Sequence, residues 1–343
     1  MSNVMAPEPR MASVRHLVRL TRRALPAVAL AALLAGCTTS ALELEDRGND
    51  PIPRRLLAEM RDLDTTAAAP ALVRIFKKES ELEVWKRTSS GTYALLKTYP
   101  MCRWSGKLGP KTREGDRQAP EGFYQVSRGR LNPRSQYHLS FDLGYPNRLE
   151  RAQGYTGSNL MVHGACSSSG CFAISDESMG EVYAVVRDAL RGGQGAVQVQ
   201  SYPFRMTAEN MTAHRGDPSF AFWTNLKEGF DAFEARRRPP RVDACGGRYV
   251  FDAKFTRPPS SDALAACPDR LDAPVSATPP SGALMVDGSK GPAQTFAYSD
   301  GGMHPSFRKL LARHGPERLS RLTSRNGTPV SRPNAALADP HRR

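Results

Sequence analysis

Short segments in which apolar and polar residues alternate are the feature that most constrains how this chain folds. They occur at residues 72–76, 81–86 and 93–99, with the turn-forming run Ser-Ser-Gly between the last two. A period of two is typical of β-strands that bury one face. The three segments therefore predict an antiparallel meander with one buried face.

Further strands and helices are predicted along the following residues. Strands are expected at residues 122–126, 137–141, 159–163 and 196–200. One helix is expected from a Ser175 cap to the Gly192-Gly193 pair, and another from Asp217-Pro218 to the basic and proline-rich run at 236–240. The predicted fold class is mainly β with flanking helices (α+β) over residues 68–235.

The N-terminal residues have the features of an export signal. Four arginines between residues 15 and 23 precede an apolar run at 25–34 that is too short to cross a bilayer. Leu34-Ala35-Gly36-Cys37 resembles the bacterial lipobox, which predicts a lipoprotein signal peptide over residues 1–36 and a lipid on Cys37. Thr38 in place of an aspartate favours the outer membrane. An ordinary signal peptide with an incidental cysteine is the alternative.

The chain is strongly basic. Its formal charge is +14, and removal of residues 1–36, which contain five arginines and one glutamate, leaves about +10. A basic exported protein is attracted to anionic cell-wall polymer or lipid headgroups. Simple solvation of a charged tail is the alternative. Because no basic motif is interleaved with aromatic residues, nucleic acid is not expected as a partner.

The remaining chain divides by composition. Residues 37–67 are polar and predict a tether with a short helix over 54–64, and residues 236–268 predict a small cysteine-containing appendage. From residue 269 to 343 proline, serine, glycine and alanine dominate. That stretch predicts a disordered basic tail, apart from a basic helix over residues 306–322.

Five cysteines remain once Cys37 is assigned to lipid, and an odd number in an oxidising compartment predicts one unpaired thiol. Cys245 and Cys267 flank a segment of their own and are expected to pair. The connectivity of the others, Cys102 and Cys166 among them, stays open. The unpaired thiol is a candidate reactive group.

Residues 163–171, with the sequence HGACSSSGC, are the strongest candidate for a functional site. His163 follows an apolar run, and the small residues after it allow the backbone to turn tightly. A thiol near an imidazole fits a nucleophile with its base. Two metal ligands, or a turn beside a disulfide, fit equally. A structural zinc site needs four ligands and no CxxC spacing occurs, so neither metal nor cofactor is expected.

Cys171 is the preferred nucleophile over Cys166. A glycine precedes it and a predicted helix begins a few residues later, and a helix N-terminus favours a thiolate and offers N–H groups to an oxyanion. His163 is the preferred base because it ends a strand beside this loop. His138 is expected to line the cleft, whereas His214 lies in a loop.

A glycine-rich stretch at residues 105–124 is too long for a hairpin turn. Its basic side chains, which include Lys107, Arg113 and Arg117, are candidates for binding substrate carboxylates. A solvated loop with mixed charges is the alternative, and composition alone favours it.

His163-Gly164 followed by Ser168-Ser169-Gly170-Cys171 resembles the signature of the YkuD-type L,D-transpeptidase catalytic domain. The stretch at 106–124, with its Glu-Gly-Asp-Arg-Gln and Pro-Glu-Gly-Phe-Tyr blocks, also resembles that family. It is closest to a periplasmic subgroup that includes the murein peptide amidase which detaches lipoprotein from peptidoglycan. The resemblance covers roughly residues 68–235 and implies an L,D-transpeptidase-like β-sandwich or barrel.

The resemblance also implies a mechanism and partners. Cys171 would be the nucleophile and His163 the base, with the backbone at Ser169, Gly170 and Cys171 lining an oxyanion hole. The substrates would be peptidoglycan stem peptides with a meso-diaminopimelate amide, or a peptidoglycan-linked outer-membrane protein or lipoprotein. Ser169, where a second histidine is usual, and Ala173, where arginine or asparagine is usual, favour hydrolysis. A non-catalytic peptidoglycan-binding lipoprotein and a structural disulfide domain are the alternatives.

Overall fold

The computed structural model describes residues 47–272 and 301–331, so the predicted signal peptide and Cys37 lie outside the described residues. Its helices are α1 (Arg54–Asp62), α2 (Arg148–Ala152), α3 (Asp176–Arg191), α4 (Ala208–Ala213), α5 (Phe220–Arg236) and α6 (Pro305–Thr323). Two 3-10 turns lie at Arg47–Asn49 and Arg128–Arg130. Across these two ranges, no helix combines the length and apolar character that membrane crossing requires.

The strands form two five-stranded sheets and one hairpin. They are β1 (Ala71–Phe76), β2 (Glu81–Arg87), β3 (Tyr93–Pro100), β4 (Arg103–Trp104), β5 (Gly122–Ser127), β6 (Leu131–Asn132), β7 (Ser140–Asp142), β8 (Met161–His163), β9 (Phe172–Ala173), β10 (Ala196–Tyr202), β11 (Val242–Cys245) and β12 (Arg248–Phe251). The first sheet has the order β3-β2-β1-β10-β5 and the second β4-β9-β8-β7-β6. The pairs β1–β10 and β8–β9 are parallel, and the remaining pairs are antiparallel. The predicted α+β class is confirmed.

The first sheet is covered on both faces, not on one as the alternation predicted. Every residue of β1 is buried. Val73 and Ile75 pack into the main core with the second sheet, α1 and α3. Phe76, on the opposite face, packs with Trp223 of α5 and with the β11–β12 hairpin. The prediction failed because α5 and the hairpin cover a face that the meander alone would leave to solvent.

Arg74 is the polar member of that second face and explains why the alternation looked amphipathic. Its side chain is 1% exposed, and its Nη1 lies 2.7 Å from the Glu234 carboxylate of α5. The guanidinium also lies 4.6 Å from the ring of Phe230 and 4.5 Å from that of Phe233. A cation enclosed by aromatic rings and a carboxylate can be buried without losing its electrostatic partners.

Part of the predicted tether belongs to the domain. Ile52, Leu56 and Met60 lie on and just before α1 and are buried in the main core. In the predicted appendage, the expected Cys245–Cys267 disulfide links β11 to the residues that follow the β11–β12 hairpin. Both segments therefore pack as parts of one compact unit.

Residues 301–331 belong to the predicted disordered tail but form an ordered, packed segment. They include α6, kinked at Gly315-Pro316, where the predicted basic helix lies. Met303, Phe307 and Leu319 are buried against the domain. The basic helix expected over residues 306–322 is confirmed, whereas the expectation of disorder was wrong for the residues on either side of it, because the average composition of the tail hid these few apolar anchors. The rest of the predicted tail beyond residue 272 lies outside the described residues.

Two local predictions were also wrong. The strand expected at 137–141 begins at Ser140, because His138 adopts a φ of +68° that breaks an extended run. The second long helix begins at Phe220 after Ser219, two residues later than expected, because Asp217 caps a preceding turn through Ser219 N–H.

A fully buried ion pair joins the first sheet to the glycine-rich stretch. The Lys77 ammonium donates to the Glu121 carboxylate at 2.8 Å and to the carbonyl oxygens of Ala119 and Gly109 at 2.9 and 3.2 Å. Glu121 also accepts from Trp223 Nε1 at 2.8 Å. Burial lowers the pKa of Lys77, and the Glu121 charge opposes that shift.

Replacing Lys77 by methionine should lower the free energy of unfolding by about 3–5 kcal/mol, because it leaves the Glu121 carboxylate buried without its cation. Urea unfolding with intact disulfides measures this change. Lys254 is an exposed lysine, and Lys254→Met should change the unfolding free energy by less than about 0.5 kcal/mol. Equal effects of the two substitutions would contradict a structural role for the buried pair.

Candidate active site

The loop at residues 164–171 joins two parallel strands with unusually few residues. Parallel neighbours normally need a connection of a dozen or more residues, whereas only eight separate β8 from β9. The chain turns back through Ala165 and Gly170, whose φ angles are +59° and +119°. The small residues singled out in the sequence make this path possible, since a positive φ favours glycine.

The Cys102–Cys166 disulfide ties this loop to the start of β4. Cys166 is therefore unavailable as a thiolate, and Cys171 is the unpaired cysteine among the described residues, as predicted. The alternative of a metal site built from His163, Cys166 and Cys171 is weakened, because the Cys166 sulfur is in a disulfide and offers no thiolate ligand. The preference for Cys171 as the reactive thiol now has a structural basis.

The Cys171 thiol is half-buried and accepts and donates one hydrogen bond each. Its Sγ lies 3.4 Å from the donating N–H of Met161 and 3.6 Å from the accepting carbonyl of Asn159. The pKa of this thiol is raised to about 11, mainly by burial and in smaller part by the Asp142 charge, while the Met161 N–H and the Lys111 charge oppose the shift. The sequence had favoured a helix terminus that lowers this pKa, and the structure contradicts that expectation.

His163 is buried at the end of β8 and has a defined proton position. Its Nδ1 lies 2.5 Å from the carbonyl oxygen of Gly164, so Nδ1 carries the hydrogen and Nε2 has the free lone pair. Burial lowers the pKa of the imidazole, and Asp176 opposes that shift. The ring of Tyr137 covers the imidazole, with 4.8 Å between the ring centroids.

His163 and Cys171 lie on the same face of the second sheet. Because Val162 pairs with Phe172 in a parallel register, Met161 lies opposite Cys171 and His163 lies two residues further along the same face. A strand spacing of about 5 Å and a rise of about 3.3 Å per residue put the two Cα atoms about 8 Å apart. The register therefore places the thiol and the imidazole on one face of the second sheet, while the hydrogen bonds of the thiol run to Met161 and Asn159.

Asp176, the first residue of α3, anchors the residues after His163. Its Oδ1 accepts from the Ala165 N–H at 2.8 Å. A Cβ atom at Gly164 would lie 2.6 Å from that oxygen and 2.9 Å from the Tyr137 carbonyl, so only glycine fits there. No sequence signal distinguished Asp176 from an ordinary acidic residue in a first helical turn.

Ser105 links the nucleophile loop to the glycine-rich stretch. Its Oγ accepts from the Gly170 N–H at 2.5 Å and donates to the Arg117 carbonyl at 2.8 Å. It also lies 3.1 Å from the hydroxyl of Ser168, which donates to the Cys171 carbonyl. The Gly170 N–H is therefore engaged, contrary to the expectation that it lines an oxyanion hole. The N–H groups of Ser169 and Cys171 stay as the backbone candidates for that role.

A cavity of about 220 Å³ opens beside the thiol. It is lined by Lys111, Glu114, Gly115, Arg117, Ser158, Asn159, Leu160, Ser169 and Cys171. The glycine-rich stretch therefore forms a wall of the candidate site instead of a solvated loop. Ser169 is exposed at its mouth.

The weaker candidates for substrate binding separate into two groups. Arg117 lines the cavity, whereas Lys107 and Arg113 are exposed and lie outside its lining. His138 is buried beneath Gly164 and does not line it. Lys111, which the sequence analysis did not single out, lines the cavity and forms an ion pair with Asp116. Lys111 is buried, and nothing in the sequence distinguishes it from the exposed basic residues of the same loop.

A protein-family model described as the L,D-transpeptidase catalytic domain (YkuD) matches residues 67–200. The Escherichia coli K12 protein named "Putative L,D-transpeptidase YafK" is 45% identical over 182 residues. That alignment covers 53% of this chain and 74% of the relative.

Two solved structures are more distant. One is a point mutant of the helical cell shape determining protein Pgp2 from Campylobacter jejuni, which is 20% identical with a TM-score of 0.32. The match covers 52% of this chain and 66% of the Pgp2 chain. Bd1075 from Bdellovibrio bacteriovorus is 18% identical with a TM-score of 0.29, covering 49% and 59%. Likeness at this level supports no statement about chemistry.

The raised pKa of Cys171 predicts how the thiol responds to pH. Only the thiolate is alkylated, so the rate with iodoacetamide should rise about tenfold per pH unit from neutrality and still be rising at about pH 10. Mass spectrometry of the peptide containing Cys171 measures the rate. The Cys171→Ala variant provides the blank, and a plateau below about pH 8 would instead indicate a thiolate–imidazolium pair.

Proposed function

We propose that this chain, which belongs to the L,D-transpeptidase catalytic domain (YkuD) family of peptidoglycan-related enzymes, uses the Cys171 thiol to attack an amide carbonyl of peptidoglycan stem peptides. The observation that supports this most directly is that an unpaired thiol, which lines a cavity, and a buried imidazole lie on the same face of the second sheet. A binding module would have no chemical need for either group.

The first half-reaction transfers the acyl group to sulfur. His163 Nε2 takes the thiol proton as Sγ attacks the carbonyl carbon, and this general-base route suits a thiol that is protonated in the free enzyme. The N–H of Cys171 donates to the developing oxyanion. The imidazolium then gives its proton to the leaving amine, the C–N bond breaks, and a thioester on Cys171 remains.

The second half-reaction breaks the thioester. Water or an acceptor amine attacks the same carbonyl, His163 accepts its proton, and the thiol is restored when the C–S bond breaks. Water gives hydrolysis, as in a murein peptide amidase, and an amine gives a cross-link. The two outcomes share every protein group described above, so the choice depends on which acceptor reaches the thioester.

Two positions support hydrolysis as the main outcome. Ser169 provides a small hydroxyl at the cavity mouth where the family usually has a second histidine. Ala173 is fully buried beside Cys166 and Met303, which leaves no room for the arginine usual at that position. Neither position offers a large polar group to hold an acceptor peptide.

The charges around the cavity suit a meso-diaminopimelate amide. Arg117 is a cation that can bind its carboxylate, Lys111 adds positive charge from within its ion pair with Asp116, and Glu114 offers an anion for an amine. A peptidoglycan-linked outer-membrane protein or lipoprotein joined through the same amide would be an equivalent substrate. We place the enzyme in the periplasm, anchored through a lipid on Cys37, and the two disulfides fit such an oxidising compartment.

Incubation of the full chain with purified sacculi tests the proposal. Mass spectrometry should detect released peptides or proteins that are absent with Cys171→Ala, and new 3→3 cross-links would instead identify a transpeptidase. Loss of the base in His163→Gln should slow product formation about 10²–10⁴-fold. His214→Gln is the matched control, because His214 stacks on Phe204 outside the cavity. Binding to sacculi with no product that depends on Cys171 would favour the non-catalytic alternative.

A further inference from the structure

The segment at residues 301–331 packs against the nucleophile loop. It lies beyond residues 67–200, the range that the family model matches. Its apolar side chains form one cluster with the loop disulfide and β9, made up of Met303, Phe307, Leu319 and Val330 with Cys102, Cys166 and Ala173. The cluster lies on the side of the loop opposite Val162 and Phe172, which face the main core.

Ser331 contacts one end of the loop through hydrogen bonds. Its N–H donates to the Cys166 carbonyl at 3.2 Å, and its Oγ accepts from the Ser168 N–H at 3.3 Å. Arg103 Nε also donates to that Oγ at 3.2 Å. Since the Ser168 hydroxyl donates to the Cys171 carbonyl at 2.7 Å, Ser331 is two hydrogen bonds away from the nucleophile.

Arg325 contacts the other end of the loop through Asp176. Its N–H donates to Asp176 Oδ2 at 2.7 Å, while Oδ1 of the same carboxylate accepts from Ala165 N–H. One buried carboxylate therefore couples the 301–331 segment to the residues that follow His163. The segment holds both the base end and the nucleophile end of the loop.

The loop has few backbone bonds of its own to replace these contacts. Between Gly164 and Cys171 the described backbone bonds are Gly164 N–H to the Leu139 carbonyl, Ser167 N–H to the Ala165 carbonyl, and the bond from Ser331. Its geometry depends on side chains and on the 301–331 segment, because strands of two and three residues provide little support.

We propose that the 301–331 segment is a positioning element for the reaction, with Ser331 as its positioning residue, and this rests on the function proposed above. The segment touches neither the cavity lining nor the thiol, so it acts through the loop. It holds the loop that carries Cys171 in place relative to His163. The effect should therefore appear in turnover and in thiol reactivity, not in substrate affinity.

The test compares three full-chain variants. Ser331→Ala removes the Oγ acceptor and should lower kcat on stem-peptide substrate about fivefold with KM unchanged. Ser331→Thr keeps the hydroxyl and should restore most of that loss. Ser306→Ala makes the same chemical change at the start of α6, where the hydroxyl contacts His304, and should match the wild type.

Alkylation of Cys171 is a second readout that does not depend on peptidoglycan activity. A loosened loop admits water to the thiol, so its pH midpoint should shift to lower pH in Ser331→Ala. Val330→Ala weakens the apolar packing of the same segment without removing a hydrogen bond, and should shift the midpoint in the same direction. If circular dichroism shows that Ser331→Ala is poorly folded, Val330→Ala alone tests whether the segment positions the loop.

The outcomes separate the two proposals. Unchanged kcat and unchanged alkylation midpoints in Ser331→Ala and Val330→Ala would overturn the positioning role. A wild-type protein with no Cys171-dependent action on sacculi would overturn the proposed function, and the alkylation shift would still decide whether the segment positions the loop. A drop in thermal stability alone, with an unchanged midpoint and kcat, would show that the segment only stabilises the fold.

Discussion

The buried ammonium of Lys77 is the contact on which the candidate site depends most. It ties β1 to the carbonyls of Gly109 and Ala119, which bracket the basic wall of the cavity, and to Glu121 just before β5. Burying a lysine costs free energy that only several well-placed acceptors offset. Here those acceptors lie on the loop that forms a wall of the cavity. The Lys77 contacts therefore stabilise the first sheet and also fix the shape of the cavity.

The chemistry of the site follows from the burial of its two reacting groups, with His163 buried in the sheet and Cys171 half-buried at the cavity. Burial favours the neutral forms of both Cys171 and His163, since it raises one pKa and lowers the other. When both groups are neutral, the imidazole must offer an unprotonated nitrogen to the thiol. Because His163 Nδ1 donates its hydrogen to the Gly164 carbonyl, Nε2 is that nitrogen. The supports around the loop, Asp176, Ser105 and Ser331, keep that arrangement without touching the reacting atoms.

The sequence alone predicted the parts of this structure that local pattern determines. Strand periodicity, the Ser175 cap, the unpaired Cys171 and the Cys245–Cys267 bridge all follow from residue spacing or counting. It missed what only tertiary packing decides. Three features join residues that are far apart in the chain. They are the second covered face of β1, the Asp176 carboxylate that binds two backbone segments, and the packing of residues 301–331 on the domain. The catalytic roles of Cys171 and His163 stay predictions.

The disulfide at Cys166 lies only five residues from the free thiol of Cys171. A thiolate so near a disulfide is a candidate for exchange, which would move the bridge to the nucleophile and release Cys102 or Cys166. Exchange requires the attacking sulfur to be deprotonated, and Cys171 holds its proton at neutral pH. Burial therefore has two effects on Cys171. It keeps the thiol protonated until a base removes the proton, and it protects the Cys102–Cys166 disulfide from attack by a free thiolate.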